Sequence, residues 1–328
     1  MVHEPELMEP GTAGIPIVDV PGLRSANLAD RQAVAALLGA ACRNVGFFYV
    51  TGHGIPDAVI TGILSDAKDL FALPSQSKDE LSIKRSRHNR GYVGMAAERL
   101  NERASPDQKE AFNIGLELPP DDPEVLAGKP FRGANVWPAL PGWRDRVLAY
   151  YDVCMALQLD IHRGFALDLG VPEDFFAGKM NRPIATLRLL HYPAGRPIEG
   201  AEIGAGQHTD YGNLTILATD GVAGLQVRRR DGVWLDAPHI EGAFVCNIGD
   251  CLMRWTNDVY VSTPHRVLRP RQERYSVAFF SDANPDALVE VLPVCVAPGE
   301  APRYAPVLCG DYLTARLTAT YDHLKAGT

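Results

Sequence analysis

Beyond Met180 the chain breaks into short apolar runs separated by turn signals, at 184–192, 214–218, 224–227, 233–235, 243–248 and 275–280. Runs of this length and spacing are the signature of an antiparallel sandwich or barrel. This feature limits the fold more than any other, because each run is too short to be a helix that buries a stripe of its own.

The first half reads differently. A short strand is expected at 15–20. A helix is expected at 28–45, with Val34, Leu37, Leu38 and Ala41 at helical spacing. Gly46 ends that helix, Phe47-Phe48-Tyr49-Val50 reads as the next strand, and Pro56-Asp57 opens a helix reaching about Phe71. Residues 74–141 are rich in Pro, Gly and charge, with one possible strand at 111–118. Long irregular segments of this kind are often binding loops or lids. Trp143–Leu169 reads as one long helix with a stripe of Val147, Tyr150, Tyr151, Cys154, Leu157 and Ile161, and 311–324 as a C-terminal helix. The expected organisation is a flexible 1–14, an α/β region over 15–180 with a lid at about 85–115, a β core over 181–284, and a C-terminal extension and helix over 285–328.

Composition narrows the function classes. Lys+Arg number 32 against 40 Asp+Glu, a net charge of −8, which repels phosphate backbones and argues against a nucleic-acid partner. No apolar run approaches a membrane span, and Met1–Gly11 carries three glutamates and no apolar signal core. The six cysteines form no CxxC pair and read as reduced thiols of a cytoplasmic protein. The sequence carries no signal for an oligomeric state.

Chemistry concentrates in the β-rich half. His208-Thr209-Asp210 puts an imidazole and a carboxylate two residues apart, on one face if the chain is extended. His265 follows in Ser262-Thr263-Pro264-His265-Arg266-Val267. Two histidines and a carboxylate make the facial set that holds non-haem Fe(II), and no cysteine ligand is near to suggest structural zinc. Arg274 and Ser276 again share a strand face and make a clamp for a carboxylate, with Ala278 and Phe280 continuing that face. In Arg188-Leu189-Leu190-His191-Tyr192 the alternation puts Arg188, Leu190 and Tyr192 together, so Tyr192 is expected to add a phenol to the clamp and Arg188 an anion contact.

With Gly46-Phe47-Phe48-Tyr49-Val50-Thr51-Gly52-His53-Gly54, Arg90-Gly91-Tyr92, His191-Tyr192-Pro193, His208-Thr209-Asp210-Tyr211-Gly212, Asn247-Ile248-Gly249-Asp250 and Arg274-Tyr275-Ser276 in one order, the chain resembles the isopenicillin N synthase-like family of iron(II)/2-oxoglutarate-dependent oxygenases. The Thr-Asp-Tyr-Gly and Ser-Thr-Pro-His forms look like its microbial branch. The resemblance implies a mainly β fold with helical additions: a distorted double-stranded β-helix, or jelly roll, flanked by N-terminal helices and a C-terminal helix. It implies Fe(II) on His208, Asp210 and His265, and 2-oxoglutarate held by Arg274 and Ser276 with help from Tyr192.

On this reading the protein is a dioxygenase that uses O₂ and 2-oxoglutarate to hydroxylate, desaturate or ring-close a small metabolite, releasing succinate and CO₂. No catalytic residue is expected beyond the metal ligands. The prime-substrate contacts expected are Arg188, Arg90, Tyr92, Glu98, Phe112, Asn113 and Phe280. The rival readings are an oxidase of the same fold that uses no 2-oxoglutarate, an ethylene-forming enzyme, and a non-catalytic barrel that binds a small acid.

Overall fold

The computed structural model describes residues 14–100, 106–195 and 203–320. The expectations for 1–13, 101–105 and 321–324 lie outside the described residues. In chain order the elements are β1 (Ile17–Asp19), α1 (Leu28–Asn44), β2 (Phe47–Thr51), α2 (Asp57–Phe71), α3 (Ser75–Glu80), β3 (Gly91–Val93), β4 (Glu110–Gly115), α4 (Pro123–Leu126) and α5 (Trp143–Leu169). There follow β5 (Thr186–Tyr192), β6 (Ile203–His208), β7 (Leu214–Thr219), β8 (Leu225–Arg228), β9 (Trp234–Asp236), β10 (Phe244–Ile248), α6 (Asp250–Trp255), β11 (His265–Leu268), β12 (Arg274–Ser281), β13 (Leu288–Val289), β14 (Val307–Leu308) and α7 (Cys309–Thr320).

Twelve strands form an eight-stranded sheet ordered β1-β2-β10-β7-β12-β5-β4-β3 and a four-stranded sheet ordered β6-β11-β8-β9, the two walls of a jelly roll, and β13 pairs with β14. Alternation along the large sheet divides its side chains between two environments. Leu187, Leu189, Ile216, Val277, Phe279, Phe244 and Cys246 belong to a core shared with the helices. Leu190, Tyr192, Ala278, Val245, Phe47 and Tyr49 pack between the sheets with Leu225 and Val267. Along the large sheet, a residue that points at the helices is therefore followed by one that points into the barrel.

The helices are placed by end signals. The Asn27 side chain accepts from the Ala29 N–H at 3.1 Å and caps α1. Gly142 and Gly170, at φ 68° and 71°, bracket α5 in the left-handed conformation that glycine adopts without strain. No helix among the described residues is long and apolar enough to cross a membrane, and none of the six cysteines is bridged.

Some elements depart from expectation. β6, Ile-Gly-Ala-Gly-Gln-His, has too little side chain to read as a strand, and its pairing with β11 is what makes it one. The Asn247–Asp250 motif carries the chain from the end of β10 straight into α6. The strand expected at 111–118 is β4, beginning at Glu110 and ending at Gly115.

On the helix side of the large sheet, Glu110 is buried and accepts from Lys78 Nζ at 2.8 Å and Tyr92 Oη at 2.5 Å. One His191 ring nitrogen lies 2.7 Å from its other oxygen, and the second nitrogen meets Glu273. Burial alone would raise the Glu110 carboxyl, but His191, Lys78 and Tyr92 reverse this and hold it at about 2. Burial works to lower His191, and Glu110 with Glu273 outweighs it and raises it. The signs are opposite. The Glu110 contribution is complete above its ordinary value of 4.5 and is lost as pH falls toward about 2. The His191 contribution is complete below 6.5 and is lost as pH rises through its raised value. Glu110→Ala strands the Lys78 ammonium and is expected to cost about 3–5 kcal/mol at neutral pH. Urea melts of both proteins in a pH series check this, and the gap between them should narrow in acid.

Candidate metal centre and cavity

Strand register builds the centre. His208 ends β6 and His265 begins β11, and the two are cross-strand partners, with ring centroids 4.3 Å apart. Asp210 lies two residues past the end of β6, so it joins His208 through the loop that follows and not through strand alternation as the sequence suggested. Asp210 Oδ1 is 3.7 Å from His208 Nε2 and 3.6 Å from His265 Nε2. One donor atom from each residue fits within a 4.8 Å span.

Neighbouring groups orient all three. His208 Nδ1 is 2.7 Å from the Gly206 carbonyl and His265 Nδ1 3.1 Å from the Thr263 carbonyl. A carbonyl only accepts, so Nδ1 carries the proton in both rings and the Nε2 lone pairs face the centre. Asp210 Oδ2 accepts from Thr215 Oγ1 at 2.5 Å and Asn247 Nδ2 at 2.7 Å, leaving Oδ1 to the centre. Burial, then the neighbouring His265, lowers His208 to about 4, so its ring is neutral near pH 7. Burial works to raise Asp210, but His265, His208, Asn247 and Thr215 bring it below its ordinary value. Two imidazoles whose Nε2 atoms face the centre and one ionised carboxylate, without a thiolate, fit a divalent iron.

A cavity opens over the centre between the two sheets. At one end sits Arg274, 1% exposed, donating to the Val222 carbonyl at 3.2 Å and to Ser276 Oγ at 3.2 Å. Its guanidinium carbon lies 4.9 Å from the centroid of the Tyr192 ring. Among the described residues no carboxylate pairs with Arg274, and the cavity it lines has Leu190, Leu217, Leu225 and Val267 in its wall. A buried cation in such a place calls for an anion. Tyr192, expected to offer its phenol, presents its ring face to the guanidinium.

The other side carries a charged cluster. Arg188 Nη2 contacts Glu98 Oε1 at 2.5 Å, and Lys109 Nζ lies 3.3 Å from Glu98 Oε2 and 2.5 Å from Asp107 Oδ2. Asp107 Oδ1 accepts from the Gly206 N–H at 3.0 Å, which ties the segment carrying Glu98 to the strand carrying His208. Asn113 faces the same space, with its Nδ2 3.5 Å from Asn89 Oδ1 and, among the described residues, no partner for its Oδ1. Phe280 lines the cavity too.

Arg90, Tyr92 and Phe112, expected as substrate contacts, do not line it. The Arg90 guanidinium is buried against the carbonyls of His88 and Phe131. Tyr92 is turned to Glu110. Phe112 is fully buried, edge-on to Trp143 at 5.8 Å. The sequence reading passed over Lys109, Asp107, Thr215, Asn247 and Asp282. Asn247 stands in the quoted Asn-Ile-Gly-Asp motif, and Asp282 is one further i+2 step along the face of Arg274, Ser276, Ala278 and Phe280.

Comparison with known proteins gives consistent findings. Residues 15–140 match the family described as non-haem dioxygenase in morphine synthesis N-terminal, and residues 183–283 match the 2OG-Fe(II) oxygenase superfamily. The chain is 35% identical over 319 residues to the 2-oxoglutarate-Fe(II) type oxidoreductase hxnY of Emericella nidulans, covering 95% of this chain and 91% of that one. It is 36% identical over 326 residues to a homoarginine-6-hydroxylase of Oryza sativa subsp. japonica, covering 94% and 97%. A full-length Neurospora crassa protein crystallised with alpha-KG and thymine superposes with a TM-score of 0.83 at 30% identity, covering 93% of this chain and 96% of that one.

Proposed function

Because the chain belongs to the 2OG-Fe(II) oxygenase superfamily, we propose that His208, Asp210 and His265 hold its Fe(II), that Arg274 and Ser276 hold the far carboxylate of 2-oxoglutarate, and that the lid side of the cavity holds the prime substrate. The protein is an oxidoreductase that uses Fe(II) and 2-oxoglutarate to oxidise a small molecule. The observation that carries the residue assignment is the buried Arg274 without a carboxylate partner among the described residues, in the same cavity as the cluster of two imidazoles and a carboxylate.

Bound Fe(II) supplies activation of O₂, which no side chain of this protein could do alone. The protein's own groups position and exclude. Asn247 and Thr215 fix the Asp210 carboxylate, and the Gly206 and Thr263 carbonyls fix the two rings, so the donor atoms need no rearrangement to bind the ion. Arg274 orients 2-oxoglutarate by a charge-assisted fork over the Tyr192 ring. Glu98, Lys109 and Asn113, from the segment over 85–115, and Arg188 with Phe280 from the sheet, enclose the substrate space and keep water from the reacting atoms. Asn113 Oδ1 is an acceptor for a substrate N–H, and Arg188 a donor to a carbonyl or acid group.

The test is oxygen uptake by the anaerobically reconstituted protein, started with air. The expected result is uptake that requires both Fe(II) and 2-oxoglutarate, one succinate formed per O₂, and a rise in rate with the right prime substrate. Thymine and homoarginine are the first compounds to try, since one similar protein was crystallised with thymine and another is named for homoarginine. Uptake indifferent to 2-oxoglutarate would refute the assignment of Arg274.

A further inference from the structure

Almost every charged side chain facing the cavity is accounted for. Asp210 is matched by the two imidazoles, Arg188 and Lys109 by Glu98 and Asp107, and Arg274 by the cosubstrate it is assigned. Asp282 remains. It follows the last residue of β12, lines the cavity and is 5% exposed. Among the described residues no hydrogen-bond donor and no cation meets its carboxylate.

Its position is built. The loop bearing Asp210 lies directly on it: a Cβ on Gly212 would stand 2.7 Å from Asp282 Oδ1 and 3.0 Å from the Ser281 carbonyl. Any larger residue at 212 would push the carboxylate aside. The Asn213 N–H donates to that same Ser281 carbonyl at 2.8 Å, fixing loop against strand. Leu313 and Leu317 of α7 line the cavity as well. Arg274 begins β12 and Asp282 follows its end eight residues on, roughly 26 Å at the usual rise per residue, so Asp282 is out of reach of the cosubstrate's far carboxylate. Burial, then the nearby Asp210, pushes the Asp282 carboxyl up to about 7.

We propose that Asp282 is a specificity-determining residue that accepts hydrogen bonds from a basic nitrogen group of the prime substrate, of the amidinium, guanidinium or ammonium class. A carboxylate has two oxygens that match two parallel N–H groups, and an otherwise unpaired buried acid repays its burial only when a cation or donor arrives. The inference rests on the reading that the prime substrate binds in this cavity beside the metal centre.

Benzamidine and benzamide make the test, since they share a shape and differ in charge. Their dissociation constants are measured by calorimetry, without oxygen, on protein loaded with Fe(II) and 2-oxoglutarate. The unaltered protein should bind benzamidine roughly tenfold to a hundredfold more tightly than benzamide, the range for a hydrogen bond to a charged group. Asp282→Asn should erase that preference. Iron content and 2-oxoglutarate affinity, read on the same samples, report whether the centre has survived, and Asp282→Ser replaces the first variant if it has not. Three results would overturn the proposal: no benzamidine binding, benzamide bound as tightly or more tightly by the unaltered protein, or a preference that persists in the variant. If the unaltered protein neither binds 2-oxoglutarate nor turns it into succinate, it is the oxygenase assignment of the site that has failed.

Discussion

Asp210→Ala is expected to abolish both iron retention and turnover. Asp210 is the one carboxylate in the cluster and stands 3.6–3.7 Å from both Nε2 atoms, so its loss leaves two imidazole rings to hold a dication alone. Its removal also leaves the buried Asn247 amide and Thr215 hydroxyl without the oxygen they both serve. His208→Ala should behave alike, because the lost Nε2 is replaced by nothing within reach. Asn247→Ala should be milder. It loosens one anchor of the carboxylate and leaves every donor atom in place, and changes of that kind typically cost about 10–100-fold in metal affinity or activity. Metal analysis after gel filtration and succinate formation measure both effects. Full iron occupancy in Asp210→Ala and His208→Ala would refute the ligand assignment.

Period-two alternation made part of the site legible and also explains where the reading went astray. Arg188, Leu190 and Tyr192 were expected on one face, as were Arg274, Ser276, Ala278 and Phe280, and all seven line the cavity. Along β4, however, Phe112 and Asn113 were both named as substrate contacts. Neighbours in a strand point to opposite faces, so only one could be. Asn113 faces the cavity and Phe112 the helices. Tyr92 is the cross-strand partner of Phe112 and shares its face, so the two errors are one. The segment's poor periodicity hides β3, so the partner that fixes the faces of the strand expected at 111–118 is not legible. β6 was hidden for another reason. Gly204 and Gly206 lower strand propensity, and what holds the segment in the sheet is pairing with β11, some sixty residues later in sequence. That pairing also sets His208 opposite His265, a relation no local pattern could carry. Asp107 and Lys109 act through contacts with β6 and Glu98, again across distances in sequence that spacing does not encode.

Arg274→Ala should leave the metal cluster intact and strike the cosubstrate. The guanidinium is 1% exposed, held by the Val222 carbonyl and Ser276 Oγ and laid over the Tyr192 ring, so it is already aimed before any ligand arrives. Removing one member of a buried charge pair costs about 2–5 kcal/mol. At about 1.4 kcal/mol per decade that is a roughly thirty-fold to several-thousand-fold weakening. The loss should appear chiefly as a raised KM for 2-oxoglutarate, because the far carboxylate is not the reacting end and its contact is made equally before and during the reaction. Arg274→Lys should recover only part of it, since an ammonium cannot form the fork and is too compact to cover the Tyr192 ring as a guanidinium does. Ser276→Ala removes one hydroxyl hydrogen bond to the carboxylate and should cost about 1.5–3 kcal/mol, toward the lower end of the arginine's range. Succinate formation against 2-oxoglutarate concentration ranks the three variants, with iron content measured on each. An unchanged KM in Arg274→Ala would move the cosubstrate elsewhere in the cavity.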